Sequence, residues 1–355
     1  MAACRLGIST LQEKWTQWLG QPVALHTTPI LQLLYPLALQ TDNYWINGGL
    51  VPDPSLIEAL QALPEETALV ADDQLLISRS ARFPSDQKLQ QQPYSKPYTL
   101  IRYPWDLIRQ NGTAIRADFQ QLARRTAPPV LGTDVRLIDR ENVFIEKGAA
   151  VLCSTLNAST GPIYIGKNAL IMEGCHIRGP FALGEGAVVK MGARIYGGTT
   201  IGPYSVAGGE INNSIIFGYT NKAHDGYLGD SVLGEWCNWG AGTSCSNLKN
   251  TAGPQYVQVG AERVAIGLKC GVMMGDFSRT AIHTRINSGT RVGVSAHLFG
   301  TGFPPKDVPS FYWNDTERYQ LDKALQDANN WMQLKGKALS AAQRAVLTHI
   351  FQQTV

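Results

Sequence analysis

Several features that would place this chain in a specialised class are missing from its 355 residues. The six cysteines form no C-x-x-C pair, so neither a metal site nor a disulfide framework is expected, and we predict reduced interior thiols of a cytoplasmic protein. No apolar run reaches about 18 residues, which predicts no membrane span. The N-terminal segment has neither the charged n-region nor the apolar h-region of a signal peptide. Lys+Arg (31) nearly balance Asp+Glu (28), so no basic surface points to nucleic acid.

What the chain does have is an apolar residue at every sixth position through its middle third. Eight such residues follow one another without a break: Ile165, Ile171, Ile177, Leu183, Val189, Ile195, Ile201 and Ala207. A helix needs a period of 3.6 and an amphipathic strand a period of 2, so neither explains this spacing. A parallel β-helix of hexapeptide repeats does, with each apolar residue inside a triangular coil and a following Gly or small residue at the corner.

The same frame extends in both directions. Earlier and later members of the series are Ile145, Val151, Leu233, Trp239, Cys245, Ile266, Val272, Ile286 and Val292. Because three hexads make a coil of about 18 residues, the segment 145–300 predicts roughly eight or nine coils. The alternative, unrelated apolar residues in an ordinary β protein, is disfavoured by eight positions in one frame.

The segment before the repeats predicts a small α/β unit. LQEKWTQWLG (11–20) has helical spacing and ends at Gly20. The segment 43–63 predicts a strand, a Gly turn and a helix that begins near Asp53-Pro54-Ser55. TALVADDQLLISR predicts a further strand, and Thr126-Ala127-Pro128-Pro129 predicts the hinge to the solenoid.

The segment after the repeats predicts two amphipathic helices at 316–336 and 340–353. Asp315 and Ser340 are the expected N-caps, and Gly336 is the expected end of the first helix. A solenoid exposes an apolar end, so a helical cap is their simplest purpose. The predicted domains are 1–129 (α/β), 130–303 (all-β parallel β-helix) and 304–355 (helical cap).

The apolar series is interrupted at 208–227, which reads GGEINNSIIFGYTNKAHDGY. We predict a loop or irregular coil that projects from the prism, and polar excursions from a rigid scaffold often carry function. His224 is the residue here whose pKa ordinarily lies near neutrality, which makes it a candidate general base. A surface histidine without a role is the alternative, but Tyr227, Asn238 and Asn247 lie close by in the repeat frame.

The run AHDGYLGDSVLGEWCNWGAGTSCSNLK resembles the acetyltransferase half of the bifunctional N-acetylglucosamine-1-phosphate uridyltransferase/glucosamine-1-phosphate acetyltransferase family. That family has the series Gly-His-x-x-Tyr-Leu-Gly-Asp, Asn-x-Gly-Ala-Gly-Thr and Cys-Asn-Tyr at the same separations. LKCGVMMGDFSRTAIHTRINSGTRVG resembles the matching region of archaeal relatives. RLGISTLQEKW, INGGLVPDP, YPWDLI and LSAAQRAVL extend the resemblance, most closely to the bacterial variant branch called GlmU family proteins, over essentially the whole chain.

The resemblance implies a left-handed β-helix that forms a homotrimer with active sites between subunits. Carried over by position, His224 matches the base that deprotonates the amine of an amino-sugar phosphate. The residues that match binders of the sugar phosphate or the acyl donor are Arg194, Tyr227, Asn238 and Asn247. Ala241, together with Asn247, matches contacts on the acetyl-CoA side. An arginine is suited to bidentate phosphate binding, and an imidazole can take the proton of an alkylammonium.

Two positions depart from the family pattern. Asn212 stands where the family has a phosphate-binding lysine, and Leu248 replaces a tyrosine. Lys190, Lys222 or Lys249 could supply the missing charge, and the sequence leaves the choice open.

The N-terminal part departs further from the family. It lacks the Gly-x-Gly-Thr-Arg loop and following lysine that cradle a triphosphate. By the resemblance, we expect the chain to begin inside what relatives have as their first loop. INGGLVPD predicts an ordinary strand–turn–helix corner more than a nucleotide loop, and RYPWDLI (102–108) predicts an aromatic packing anchor.

Three functions therefore compete. The leading one is acyl transfer from acetyl-CoA to an amino-sugar-1-phosphate with a reduced nucleotidyltransferase-like domain appended. The second is a sugar-1-phosphate nucleotidyltransferase, which alone would bring in Mg2+. The third is a non-catalytic trimer that binds a sugar nucleotide such as UDP-N-acetylglucosamine. No nucleic-acid or membrane partner is expected.

Overall fold

The computed structural model describes residues 1–123, 134–259, 261–313 and 317–354, with Asp86 described by its backbone alone. The chain forms two compact units, one of residues 1–4 and 9–103 and one of residues 5–8 and 104–355. The predicted hinge at 126–129 and the predicted N-cap Asp315 lie outside the described residues.

The first unit is a four-stranded sheet with helices. In sheet order the strands are Asn43–Ile46, Gln74–Ser80, Thr67–Ala71 and Gln90–Pro93, the first two pairings antiparallel and the last parallel. The helices are Leu11–Leu19, Pro29–Gln32 and Pro54–Gln61, with a 3-10 turn at Pro84–Asp86. The prediction of a single strand for TALVADDQLLISR is wrong. Asp72 and Asp73 both adopt positive φ (47° and 58°) and turn the segment into a hairpin, as a two-residue turn of this hand requires.

The helix boundaries of this unit follow local capping. Thr10 and Glu13 form a reciprocal capping box at the start of the first long helix, and Gly20, at φ 67°, ends it as predicted. Asp53 caps the Pro54–Gln61 helix by accepting from the backbone N–H groups of Ser55 and Leu56.

The second unit is dominated by a parallel β-helix with three faces, named here in chain order. The first face consists of Arg136–Ile138, Thr155–Asn157, His176–Arg178, Arg194–Ile195, Glu210–Asn212 and Tyr227–Gly229, followed by Ser244–Cys245 and Arg285–Ile286. The second face consists of Val143–Ile145, Ile163–Ile165, Phe181–Leu183, Thr199–Ile201, Ile215–Ile216, Val232–Leu233, Met273–Met274, Arg291–Val292 and Asp307–Val308. The third face consists of Ala150–Val151, Leu170–Ile171, Val188–Val189, Val206–Ala207, Asn221–Lys222, Asn238–Trp239, Arg279–Thr280, His297–Leu298 and Tyr312–Trp313, with Glu317–Arg318 antiparallel at the end.

The predicted apolar series forms the core of this prism. All eight residues from Ile165 to Ala207 are buried, and so are Val151, Leu233, Trp239, Cys245, Ile286 and Val292. Parallel pairing places each of them over its counterpart in the next coil, as Ile165 lies over Leu183 and Leu183 over Ile201. The predicted fold class, an α/β region followed by a left-handed parallel β-helix and C-terminal helices, is confirmed.

The prediction that the glycine after an inward residue forms the corner is wrong. Gly184 and Gly202 follow inward residues, but what they avoid is collision: a Cβ on Gly184 would lie 2.6 Å from the backbone N of Pro203 in the next coil. The left-handed corner residue comes two positions later, as Gly186 at φ 61° and Tyr204 at φ 56° show. Glycine is therefore needed after the inward residue for close approach between coils, while the corner itself accepts other residues.

Two parts of the predicted frame are also wrong. The segment 208–227 does not leave the prism, because Ile211, Ile216 and Lys222 continue the inward positions through shortened corners. Ile266 is not an inward residue. It lies in a hairpin, Gln255–Val259 with Glu262–Gly267, that is inserted between coils.

The helix Pro104–Ala123 packs on the second face. Asn111 in this helix is fully buried and donates from Nδ2 to the carbonyl oxygen of Gly198 (2.8 Å) and to Oγ1 of Thr200 (3.0 Å). The Gly7 N–H donates to Oδ1 of Asn111 at 2.7 Å. Trp105, in the predicted aromatic anchor, is 4% exposed.

The two C-terminal helices are Leu321–Gln333 and Ala341–Gln353. Ser340 caps the second one through a capping box with Gln343, as predicted, and Gly336 has φ 67° after the first. The first begins later than predicted, because Glu317–Arg318 pairs as a strand with Tyr312–Trp313. Both helices pack against aromatic residues that line one corner of the last coils, so they cover that corner. Those corner residues are Trp236, Phe277 and Phe311.

The predicted interior position is confirmed for four cysteines and wrong for another. The buried thiols are those of Cys175, Cys237, Cys245 and Cys270, whereas Cys153 is exposed at a corner. Within the described ranges, no helix is both long and apolar enough to cross a membrane.

Candidate active site at one corner of the β-helix

His224 lies at the corner between the third-face strand Asn221–Lys222 and the first-face strand Tyr227–Gly229, and its side chain is exposed. The corner backbone is held closely by the coils on either side. A Cβ on Gly209, in the preceding coil, would lie 2.8 Å from the His224 carbonyl oxygen, and one on Gly226 would lie 2.0 Å from the Thr243 carbonyl oxygen. The Gly242 N–H donates to the Asp225 carbonyl oxygen at 3.2 Å. The backbone of His224 is thus fixed while its imidazole remains open to a ligand.

A polar cluster occupies the first face beside this corner. Asn247 Nδ2 donates to the hydroxyl oxygen of Tyr227 at 3.0 Å and to Oδ2 of Asp230 at 2.6 Å. Asn213 Nδ2 donates to the other Asp230 oxygen at 2.7 Å. Asp230 is only 6% exposed, so its two oxygens serve as fixed acceptors that orient both amides. Burial is the largest cause that raises the pKa of Tyr227 above its usual range, which keeps the phenol neutral as a donor.

Gly229 shapes the floor of this cluster. A Cβ at this position would lie 2.3 Å from the Tyr227 hydroxyl oxygen and 2.8 Å from Asn247 Nδ2. The Tyr227 ring therefore lies along its own strand across a position that only glycine leaves free. Sequence reasoning missed Gly229, Asp230 and Asn213, although the first two belong to the YLGD segment that follows His224.

Arg194 lies in the same outward column of the first face as Tyr227. Glu210 stands between them in the strand register, which places Arg194 and Tyr227 two strands, or roughly 10 Å, apart. Arg194 contacts Glu210 at 3.4 Å, with 56% of the arginine side chain exposed. An exposed pair of this kind contributes only about 0–1 kcal/mol, so the guanidinium can exchange Glu210 for an anionic ligand.

The structure describes the residue that stands where the family has a lysine, and two of the lysines that could replace its charge. Asn212 pairs with Gly229 in the register, and its side chain lies near enough to Tyr227 to oppose the rise in the pKa of the phenol, so it is part of the polar cluster. Of the three lysines that could replace the missing charge, Lys222 points into the prism with 2% exposure and cannot reach an outside phosphate. Lys249 donates to the Pro254 carbonyl oxygen at 2.6 Å within the inserted hairpin region.

Asn238 and Ala241 belong to the coil that follows that of His224. Asn238 lies on its third face, and Ala241 lies at its corner. Asn238 projects from the third face, paired with Asn221 on one side and Arg279 on the other. Ala241 belongs to the Gly240-Ala241-Gly242 corner, one coil beyond that of His224, and its carbonyl oxygen accepts from the His283 N–H at 2.7 Å. Arg194, Tyr227 and Asn247 therefore share the first face, whereas Asn238 faces away from them.

A cavity of about 310 Å³ opens further along this corner. Its lining includes Thr284, Leu298, Phe299, Phe303, Pro304 and Tyr312. Most of the lining, at 298–304, belongs to the corner three coils beyond that of His224, or roughly 15 Å along the stack. The cavity and the imidazole thus lie along one edge of the prism. No group of three or more His, Cys, Asp or Glu residues that could hold a metal ion occurs in the part of the chain that the structure describes.

Comparison with protein families matches residues 1–126 to the model of the sugar nucleotidyl transferase family. Among curated proteins, the bifunctional protein GlmU of Methanocaldococcus jannaschii is 33% identical over 116 residues, which are 33% of this chain and 28% of the relative. A bifunctional sugar-1-phosphate nucleotidylyltransferase/acetyltransferase of Sulfurisphaera tokodaii is 33% identical over 100 residues, or 28% of this chain and 25% of the relative. The chain thus spans about a quarter of the length of these relatives.

Two solved structures are also similar. An Arabidopsis UDP-N-acetylglucosamine acyltransferase has 16% identity and a TM-score of 0.30, with 63% of this chain and 90% of that chain covered. The polySia specific acetyltransferase NeuO has 15% identity and a TM-score of 0.33, with 57% and 98% covered. Both TM-scores are low, so the description of the β-helix rests on its own strand register. The predicted resemblance to the GlmU family is confirmed by the family match and the curated relatives, which leave the individual site residues untested.

Proposed function

We propose that this GlmU-like chain is a cytoplasmic acyltransferase that moves an acetyl group from acetyl-CoA to the amine of an amino-sugar-1-phosphate, with His224 as general base. The proposal rests on the arrangement of side chains at the His224 corner. An exposed imidazole on a tightly held backbone stands beside a preorganised amide, phenol and carboxylate cluster, with Arg194 further along the same face. The Sulfurisphaera tokodaii relative is named a bifunctional sugar-1-phosphate nucleotidylyltransferase/acetyltransferase, which supports the reaction class.

In the proposed step the His224 imidazole accepts a proton from the substrate ammonium, which frees the nitrogen lone pair. The nitrogen forms a bond to the thioester carbonyl carbon, and the carbon–sulfur bond breaks. The nitrogen loses its second proton to solvent and the imidazolium returns the first one to the departing thiolate, so the products are an amide, a free thiol and one released proton. Tyr227 and Asn247 would bind sugar hydroxyls, and Arg194 would bind the phosphate.

The acyl donor would approach along the edge of the prism. Ala241 and Asn247 are the candidate contacts at its reactive end, and the residues Gly240, Ala241 and Gly242 are only half-buried there. The cavity roughly 15 Å further along the same corner offers space for the more distant part of a long donor. The residues present are therefore compatible with a donor of the acetyl-CoA type.

The placement of Asn238 supports the proposed homotrimer. Tyr227 and Asn238 project from different faces of the prism, so their side chains diverge within one chain. A site that uses both residues needs the third face of a neighbouring copy opposite the first face of this one. Light scattering after size exclusion should then give three times the mass of the chain.

The test is release of free thiol from acetyl-CoA in the presence of glucosamine-1-phosphate. His224→Ala should lower kcat by about 100-fold or more while the trimer persists, because a positioned general base typically contributes 10²–10⁴-fold. The matched control is His176→Ala, which removes an exposed histidine from the first face three strands away from Tyr227. Full activity in His224→Ala, or an equal loss in the control, would remove His224 from the mechanism.

A second candidate function, sugar-1-phosphate nucleotidyl transfer, is favoured by the family match of residues 1–126. The INGGLVPD segment offers it little support. A Cβ on Gly49 would lie 2.1 Å from the Ile101 carbonyl oxygen, so the glycine serves a close backbone contact. Asn47 is occupied in donating to the Leu75 carbonyl oxygen at 3.1 Å.

Release of pyrophosphate from a nucleoside triphosphate and a sugar-1-phosphate, assayed with and without Mg2+, would establish this second activity. If the chain binds a sugar nucleotide but releases neither thiol nor pyrophosphate, it is a non-catalytic binding protein instead.

A further inference from the structure

One inward position of the prism is occupied by a lysine. Lys222 is 2% exposed and stands in the strand register between Ala207 and Trp239, where the surrounding coils place apolar side chains. Along the chain, the inward positions before and after it are Ile216 and Leu228. A charged side chain in this place needs an explanation, because an ammonium group loses strong hydration when it enters an apolar core.

The ammonium group has one specific contact. Lys222 Nζ donates to the carbonyl oxygen of His224 at 2.6 Å, across only two residues of the corner. Burial lowers the pKa of Lys222 to about 8, and the nearby Asp225 carboxylate opposes that shift. The small side chain of Ala207 in the adjoining coil leaves room for the lysine stem.

The same corner is restrained from two other directions. Gly209 lies against the His224 carbonyl oxygen from the preceding coil, and Gly242 donates to Asp225 from the following one. The inner side of the corner has Lys222 as its contact. Removing that contact leaves the backbone on which the imidazole stands without its support from inside the prism.

We propose that Lys222 is a positioning residue for His224, which holds the base-bearing corner from inside the β-helix by binding the His224 carbonyl oxygen. The proposal rests on the proposed acyl transfer for its effect on rate, but its structural part stands independently. Stability is a poor explanation for the lysine, since replacing a buried charge with an apolar side chain of similar volume is often neutral or stabilising.

The decisive variant is Lys222→Met, which keeps the volume and removes the hydrogen bond. We expect kcat to fall by about 10- to 100-fold, because a misplacement of about 1 Å in a catalytic group can cost that much. KM for both substrates should stay within about twofold, since no binding contact is lost. The melting temperature should equal or exceed that of the wild type. A loss of kcat in a protein of undiminished stability is the signature that a structural role would not give.

Two further variants serve as controls. Leu228→Met changes the next inward position along the chain without touching the His224 carbonyl, and it should retain wild-type kcat. Lys222→Gln keeps a neutral N–H donor on a shorter side chain, and it should recover part of the activity that Lys222→Met loses. It also keeps the proposal testable if Lys222→Met fails to fold.

An NMR arm separates this proposal from the proposed function. The chain has six histidines, so protein labelled at histidine gives six imidazole signals to resolve. The signal that disappears in His224→Ala is that of His224. The His224 signal should shift or broaden in Lys222→Met and stay unchanged in Leu228→Met. If the wild type releases no thiol, the acyl transfer fails while this arm still decides the positioning. An unchanged His224 signal in Lys222→Met, or equal losses of kcat in Lys222→Met and Leu228→Met, would overturn the proposal.

Discussion

Gly229→Ala should separate the shape of the candidate site from its chemistry. The added Cβ would lie 2.3 Å from the Tyr227 hydroxyl oxygen and 2.8 Å from Asn247 Nδ2, while ordinary contacts begin at 3.4 Å. The Tyr227 hydroxyl must therefore move by about 1 Å, which breaks its 3.0 Å bond with Asn247. A displacement of that size in a binding group can cost about 100-fold in rate. Gly229 lies outside the left-handed region of φ, so backbone strain does not add to the effect.

The assay is kcat/KM for thiol release, measured together with the melting temperature. We expect a loss of about 30- to 100-fold with a fall of only a few degrees, because the displaced groups lie at the surface of the prism. Gly253→Ala is the matched control, since its Cβ would meet nothing closer than Thr251 Oγ1 at 3.6 Å. Gly253→Ala should behave as the wild type in both measurements.

A double-mutant cycle tests whether the effect passes through Tyr227. Tyr227→Phe removes the hydroxyl that the new methyl group displaces, so the losses from Gly229→Ala and Tyr227→Phe should be far from additive. Wild-type activity in Gly229→Ala would refute the reasoning, and so would fully additive losses, since either result would mean that the position of the Tyr227 hydroxyl does not matter.

Two further predictions concern buried polar groups. Asp230→Asn should lower the free energy of unfolding in urea by about 1–3 kcal/mol, because the new amide turns a donor toward Asn213 or Asn247 and leaves one of them unpaired; an unchanged urea midpoint would contradict this. His297 is packed against Trp313 and Tyr319 with Arg279 at 3.2 Å, and burial, then Arg279, lowers its pKa to about 4. As the pH falls below 6.5, His297 binds a proton in the unfolded chain, whereas in the folded chain it does so only near pH 4. The free energy of unfolding should therefore fall by up to about 3 kcal/mol between pH 6.5 and pH 4. His297→Gln should flatten this part of the stability profile, and an equally steep profile in the variant would show that other groups cause it.

The structure also shows where reasoning from sequence failed in the candidate site. The polar stretch 208–227 suggested a projecting loop because the six-residue frame is lost there. In the folded chain the corners between Ala207, Ile211 and Ile216 are shortened, so the inward positions shift and Lys222 takes one of them. A periodicity search has no means of recognising a lysine as an inward residue, since only the coil on each side reveals which way it points.

The order of residues is enough to predict the architecture, because a residue that must fill a narrow prism recurs wherever the chain passes through the same face. The six-residue series and the local caps at Gly20 and Ser340 need no distant contact to be read. The assembly of the candidate site depends on contacts between coils. The bonds of Asp230 to Asn213 and Asn247, the room that Gly229 leaves for Tyr227 and the support of His224 by Lys222 depend on backbone geometry and on neighbouring coils, which the order of residues along the chain does not specify.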